Sequence, residues 1–352
     1  MDSPPKKPLL LTMGDPAGVG PEIAVKALCG RARGADIVVV GDAEVMRRAA
    51  EVCGLSPRFN AAASASLSRL SDDRSAVAER SRSAVAERSR SAPVINIMDI
   101  GSPGAPRFPR GVCGADCGRA AYSYIVKAIE LCMAGEASGV VTGPISKESL
   151  KLAGIDYPGH TEIFADKTGT DDYSMVFLLD GVAVAHVTTH VSLRDAIEMV
   201  TAERVLRQIR LLHRSLSGLG ISEPRMAVSG LNPHAGENGL FGDEEIREIA
   251  PAIKKAQEEG INVVGPLPPD TVFNRAFKGE FNGVVSMLHD HGFVALKSRD
   301  FEHGVNITVG LPIIRTSVGH GTAFDIAWSG QASCESLLSA IEAAEKMSEL
   351  GL

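Results

Sequence analysis

Six of the nine histidines stand where apolar, strand-like runs give way to turns marked by Gly or Pro. His160 lies in Gly159-His160-Thr161-Glu162, His190 closes Thr188-Thr189-His190, and His234 sits in Gly230-Leu231-Asn232-Pro233-His234-Ala235-Gly236-Glu237. His289 and His291 flank Asp290, and His320 lies in Gly319-His320-Gly321-Thr322. Such positions belong to the edge at which open α/β sheets place ligands. Imidazoles delivered from separate strand ends can form an open divalent-metal site, with water or substrate completing the shell. A hydrogen-bonded structural role is the simpler reading of any one histidine, and it is their shared position that favours a site. The segment 13–22, Met-Gly-Asp-Pro-Ala-Gly-Val-Gly-Pro-Glu, follows a strand-like run and opens a helix. Its glycines permit close backbone approach, and Pro21 in the first helical turn leaves the positive helix end to an anion or polar ligand. It is not the GxGxxG dinucleotide fingerprint.

The elements that must position these residues are legible as periodicity. Residues 9–13, 36–40 and 139–142 read as buried strands, and 21–29, 43–53 and 118–133 as helices. Further strands are expected near 174–179, 182–187, 226–229, 283–287 and 305–309, with helices near 202–216, 243–258 and 333–348. Short β-branched runs alternating with longer amphipathic ones predict α/β layering around parallel strands.

A chain of 352 residues, 44% hydrophobic, is long enough for a large core in two lobes. Its net charge of -7 makes nucleic acid and anionic membrane surfaces poor partners and leaves a small molecule as the expected one. The six cysteines, at 29, 53, 113, 117, 132 and 334, read as reduced thiols, since Cys113 and Cys117 are one residue too far apart for a redox CxxC pair. No run approaches the roughly 20 apolar residues of a membrane helix, and the apolar run 8–13 is too short for a secretory segment, so a cytoplasmic enzyme is expected. Residues 74–81 and 82–89 are the same octapeptide, and 90–92 begin a third copy. With the Ala/Ser-rich stretch 61–71, this reads as a flexible surface insertion over 60–92, since an eight-residue period matches no solenoid.

Taken in order, GDPAGVGPE, GHTE, TTHVSLRD, GLNPHAGE, GPLPPDT, HDHG with a Lys six residues after its second His, VNITVGLPIIRTS and HGTA resemble the 4-hydroxythreonine-4-phosphate dehydrogenase family of vitamin B6 biosynthesis. The resemblance spans about residues 9–345, outside the repeat. It implies a two-lobed isocitrate/isopropylmalate dehydrogenase-like α/β fold with a cleft at strand ends. Residues 1–142 and 298–352 would form one lobe with the cofactor-binding loop, and 143–297 the other, with the metal ligands and dimer interface.

The resemblance also assigns roles. It makes His190, His234 and His289 ligands of a divalent ion (Zn, Mg, Mn or Co), with His289 supplied by the partner subunit of a homodimer with shared active sites. His160, Thr161, Lys297, Asn306 and Arg315 become substrate-binding residues, types that suit phosphate, carboxylate and hydroxyl groups. Asp270 becomes the base for the substrate alcohol, and Lys297 a proton donor or electrostatic support. Gly14, Asp15, His320, Gly321, Thr322 and Asp325 would bind the cofactor, NAD or NADP. The implied reaction is oxidation with decarboxylation of 4-phosphooxy-L-threonine to 3-amino-2-oxopropyl phosphate. Alternatives are a 4-phospho-D-threonate or phospho-erythronate dehydrogenase, or a catalytically silent binding homologue. The chain departs from the family pattern at His291, commonly Gln, at Gly319, commonly Asp, and over Gly292-Phe293-Val294-Ala295-Leu296.

Overall fold

The computed structural model describes residues 7–31, 37–63, 67, 92–104, 107–300 and 302–350. Packing divides the chain into two compact units, Met1–Thr170 with Pro312–Glu345, and Asp171–Leu311 with Lys346–Leu352. The duplicated octapeptide lies outside the described residues.

The first unit is built on strands β1 (Leu9–Thr12), β2 (Ile37–Gly41), β3 (Arg58–Ala63), β4 (Val94–Asp99), β5 (Gly139–Thr142) and, from the far end of the chain, β12 (Ile314–Val318). They run in the order β3-β4-β2-β1-β5-β12, every pair parallel. β1, β2, β5 and β12 are buried at every position, which explains the largely apolar runs of β1, β2 and β5, while β12 buries Arg315, Thr316 and Ser317 between Ile314 and Val318. The expected insertion at 60–92 begins inside β3, whose residues 60–63 pair with β4. Helix Ala115–Met133 buries Ala120, Ala121, Tyr124, Ile125, Ala128 and Ile129 along one stripe. Tyr124 donates its hydroxyl hydrogen to the buried Asp42 carboxylate, which also accepts the Ser102 amide at 2.7 Å. The same helix carries Gly118, where a Cβ would lie 2.0 Å from the Ser149 carbonyl oxygen of helix Lys147–Leu152.

The second unit carries β6 (Ser174–Leu179), β7 (Val182–His186), β8 (Met226–Ser229), β9 (Val263–Leu267), β10 (Gly283–Ser286) and β11 (Val305–Val309). Their order is β11-β6-β7-β10-β8-β9. Here the expectation of parallel strands is corrected, since β6 is antiparallel to both β11 and β7 while the other pairs are parallel. The reason is local. Leu179 pairs with Val182 across Asp180 and Gly181, both at positive φ (49° and 76°), the conformation of a tight two-residue hairpin that turns the chain straight back. A core of Phe177, Leu179, Val184, Phe273, Val284, Phe293 and Leu296 lies under helices Pro269–Phe277 and His289–Arg299. The helix expected near 243–258 is split into a wide-turn segment, Glu245–Ile249, and an α-helix, Ala250–Glu258.

Candidate active-site residues

Arg315 is the most deeply placed cation of the expected set. It sits in β12 with 3% of its surface exposed. Its Nη2 donates to Thr142 Oγ1 at the end of β5, at 2.9 Å, and its guanidinium lies 5.6 Å from the Phe164 ring centroid. Burial lowers its pKa to about 10, against the opposing pull of Glu162, so it stays charged at neutral pH. His160 opens helix His160–Thr168, which has no side-chain cap, so its first amides are available to an anion. The residue keeps some exposed surface, but its Nε2 is sealed and meets no partner among the described residues. Burial first, and then the Arg315 charge, holds the imidazole well below the ordinary histidine range. A neutral histidine, half-buried Thr161 and a poorly hydrated cation together suit a phosphate or carboxylate.

Also in the first unit, the two expected cofactor segments meet. The Val19 amide donates to the Thr322 carbonyl at 3.0 Å, and a Cβ at Gly18 would lie 2.9 Å from Thr322 Cβ. Gly14 adopts φ +79° against the Pro144 carbonyl. His320 Nδ1 is 2.8 Å from the Gly321 carbonyl oxygen, and Gly321 and Asp325 are exposed. Asp15 faces inward. It is fully buried, Oδ1 accepts the Ala17 amide at 2.9 Å, and burial raises its pKa. Buried Glu22 accepts the amides of Trp328 and Gly330 and so anchors the chain just beyond the loop.

In the second unit the rings of His190 and His289 lie 5.5 Å apart, centroid to centroid. His289 Nδ1 is 2.8 Å from Asp290 Oδ1, an arrangement that orients the ring and leaves Nε2 for a metal. Two imidazoles with a carboxylate behind one of them suit one edge of a divalent-ion shell. Among the described residues of a single chain, however, no three His, Cys, Asp or Glu side chains gather into a set that could hold a metal ion. His234 lies in an unusual setting, because residues 234–238 all have φ between 44° and 77°. Four of these five are not glycine, and the left-handed conformation costs an L-residue roughly 1–2 kcal/mol. Strain of this kind persists only where surrounding structure imposes it.

The remaining expected residues of this unit are spread over three elements. Asp270 is exposed in the first turn of helix Pro269–Phe277, Lys297 is exposed with Nζ 5.4 Å from the Phe293 ring centroid, and Asn306 is half-buried in β11. Where the chain departs from its family pattern, Phe293 stacks on His186 at 4.7 Å and 3° and lies 4.5 Å from His289. His291 is half-buried, and burial lowers its pKa.

Sequence reasoning missed three residues that hold these groups, Thr142, His186 and Glu245. His186 is 3% exposed at the end of β7, burial lowers its pKa to about 3, and neither ring nitrogen meets a partner among the described residues. It precedes the Thr-Thr-His motif by one residue, Val187, and reads there as one more strand position. Glu245 stands in Asp243-Glu244-Glu245, which reads as the acidic first turn of a helix. Thr142 had no signal beyond its place at a strand end.

A parallel first sheet with a buried arginine beside a strand end, and a second unit bearing paired imidazoles, make an α/β protein whose groups suit an acidic small molecule. The family described as pyridoxal phosphate biosynthetic protein PdxA matches residues 33–344, and the chain belongs to that family. Among its relatives, D-threonate 4-phosphate dehydrogenase of Pectobacterium atrosepticum is 43% identical over 97% of this chain and 99% of that one. A putative D-threonate 4-phosphate dehydrogenase of Symbiobacterium thermophilum is 45% identical over 97% and 96%. The crystal structure of a 4-hydroxythreonine-4-phosphate dehydrogenase from Klebsiella pneumoniae is 41% identical, with a TM-score of 0.82 over 97% of this chain and 100% of that one. The chain is accordingly a dehydrogenase, which sets aside the silent homologue. No helix among the described residues is long and apolar enough to cross a membrane.

Proposed function

We propose that this enzyme oxidises the secondary alcohol of a phosphorylated four-carbon hydroxy acid, with 4-phospho-D-threonate as its preferred substrate. The observation that carries the class is buried, charged Arg315 beside neutral His160, a built receptor for an anionic group in a chain of net negative charge. The names of the curated relatives favour the D-threonate ester over 4-phosphooxy-L-threonine. When bound, NAD or NADP accepts the hydride, and a divalent cation (Zn, Mg, Mn or Co) offsets negative charge on the substrate oxygens. Arg315, His160 and Thr161 would hold a phosphate or carboxylate. Asp270 would take the alcohol proton, and Lys297 would supply a proton or positive charge as the resulting β-keto acid loses CO2. Asn306 would bind a substrate hydroxyl or carboxylate. The Gly14-Asp15 turn and the loop with His320, Gly321, Thr322 and Asp325 would receive the cofactor.

A homodimer with shared sites, a cytoplasmic location and the isocitrate/isopropylmalate dehydrogenase-like architecture complete the proposal. The dimer is supported by exposed apolar side chains that follow both His190 and His234, among them Leu193 (67%), Ile197, Leu240 (71%) and Phe241. The test is a panel of 4-phospho-D-threonate, 4-phospho-D-erythronate and 4-phosphooxy-L-threonine with NAD or NADP and each metal, followed by nicotinamide absorbance. The D-threonate ester should turn over fastest and give 3-hydroxy-2-oxopropyl phosphate and CO2. Faster turnover of the amino acid to 3-amino-2-oxopropyl phosphate would reverse the substrate assignment, and no reduction with any phosphorylated acid would overturn the class.

A further inference from the structure

We infer that the buried carboxylate of Glu245 is a positioning residue that holds His234 in its left-handed turn. This rests on the function proposed above, with His190, His234 and His289 as the residues that would hold its divalent cation. Glu245 is 3% exposed and opens the wide-turn segment Glu245–Ile249. Its Oε1 accepts the amides of Leu231 at 2.7 Å and Asn232 at 2.8 Å, and its Oε2 accepts Asn232 Nδ2 at 2.9 Å. These donors stand immediately before Pro233 and the left-handed run of residues 234–238. The loop is also shaped around the carboxylate. A Cβ at Gly236 would lie 2.7 Å from Glu245 Oε2, and one at Gly230 would lie 3.1 Å from Oε1.

Three hydrogen bonds converging on the two oxygens of one carboxylate give the loop an anchor that an amide side chain, with a single acceptor oxygen, cannot reproduce. A wide helical turn, which local helix propensity does not favour, delivers that acceptor beneath the loop. The His234 imidazole has to be held within about half an ångström to serve as a ligand, and its own backbone conformation opposes that placement. Glu245 supplies the constraint without touching the imidazole itself.

Glu245→Gln keeps the shape but replaces one acceptor oxygen with a donor. The test compares Glu245→Gln, His234→Ala and the double variant for turnover, with the His234 imidazole resonance of histidine-labelled protein as a second reading. Glu245→Gln should shift that resonance and lower turnover about 10- to 100-fold. In the His234→Ala background it should change turnover by less than about threefold, because its effect passes through the missing ring. Equal losses in both backgrounds, or an unmoved resonance in a folded Glu245→Gln protein, would overturn the inference. Full turnover by His234→Ala would instead remove the role given to His234, leaving the resonance to decide whether Glu245 holds the ring.

Discussion

At the scale of single residues, His160 connects the proposed anion receptor to stability. Unfolded, its imidazole takes up a proton near the ordinary value of 6.5, whereas in the folded protein burial and Arg315 hold it well below that. Above pH 6.5 both states carry the neutral ring. As pH falls below that value the unfolded chain binds the proton first, so this residue's share of stability is lost toward acid. The melting temperature of the wild type should fall more steeply below pH 6.5 than that of His160→Gln, and parallel curves would refute the assignment. Residue chemistry was unevenly legible. The histidines drew notice because turn residues surround them, whereas Arg315 inside Ile314-Arg315-Thr316-Ser317-Val318 looks like one charge in a strand and was found only by family resemblance. Thr142, His186 and Glu245 escaped because what marks them is the burial of a polar group beside a partner remote in sequence, which no local pattern encodes.

Among the elements, β1, β2 and β5 of the first unit are legible as apolar runs, since burial on both faces leaves no room for polar alternation. β3, β4 and β12, which carry Arg, Asn, Thr or Ser, are not among the expected strands. The antiparallel β6 was misread although its turn carries the Asp-Gly pair typical of hairpins, because both strands are apolar and alternation with helices dominated the reading. Helix packing gives a prediction in which two effects oppose. Gly118→Ala gains about 1 kcal/mol of helix propensity, but its new methyl group would meet Ser149 backbone atoms at 2.0 Å and 2.4 Å. Because backbone cannot rotate away, helix Lys147–Leu152 has to shift, and the net loss should be about 1–3 kcal/mol. Denaturant unfolding checks the sign, and a stabilised variant would show that the two helices are free to separate.

For the whole molecule, the proposed shared-site dimer is tested by asking which histidine would cross between subunits. Family resemblance assigns the crossing to His289, whereas in one chain His289 already lies beside His190. Mixed subunits separate the two arrangements. If His289 crosses, His190→Ala mixed with His289→Ala should recover activity, because one hybrid site receives three intact rings. If His234 crosses, recovery should come from His190→Ala mixed with His234→Ala instead. Recovery in neither mixture, with exchange demonstrated, would remove the shared site. The division of the chain has another consequence, for the order in which the protein is made. The first unit is interrupted after Thr170 and resumes at Pro312, so its sixth strand, β12, is translated only after the span 171–311 of the second unit. On the ribosome, β5 therefore waits with an open edge while about 170 further residues are translated, from the end of β5 at Thr142 to the start of β12 at Ile314. Arg315 arrives with that last strand, so a chain released early would display the first five strands of the sheet yet lack the cation of the proposed anion receptor.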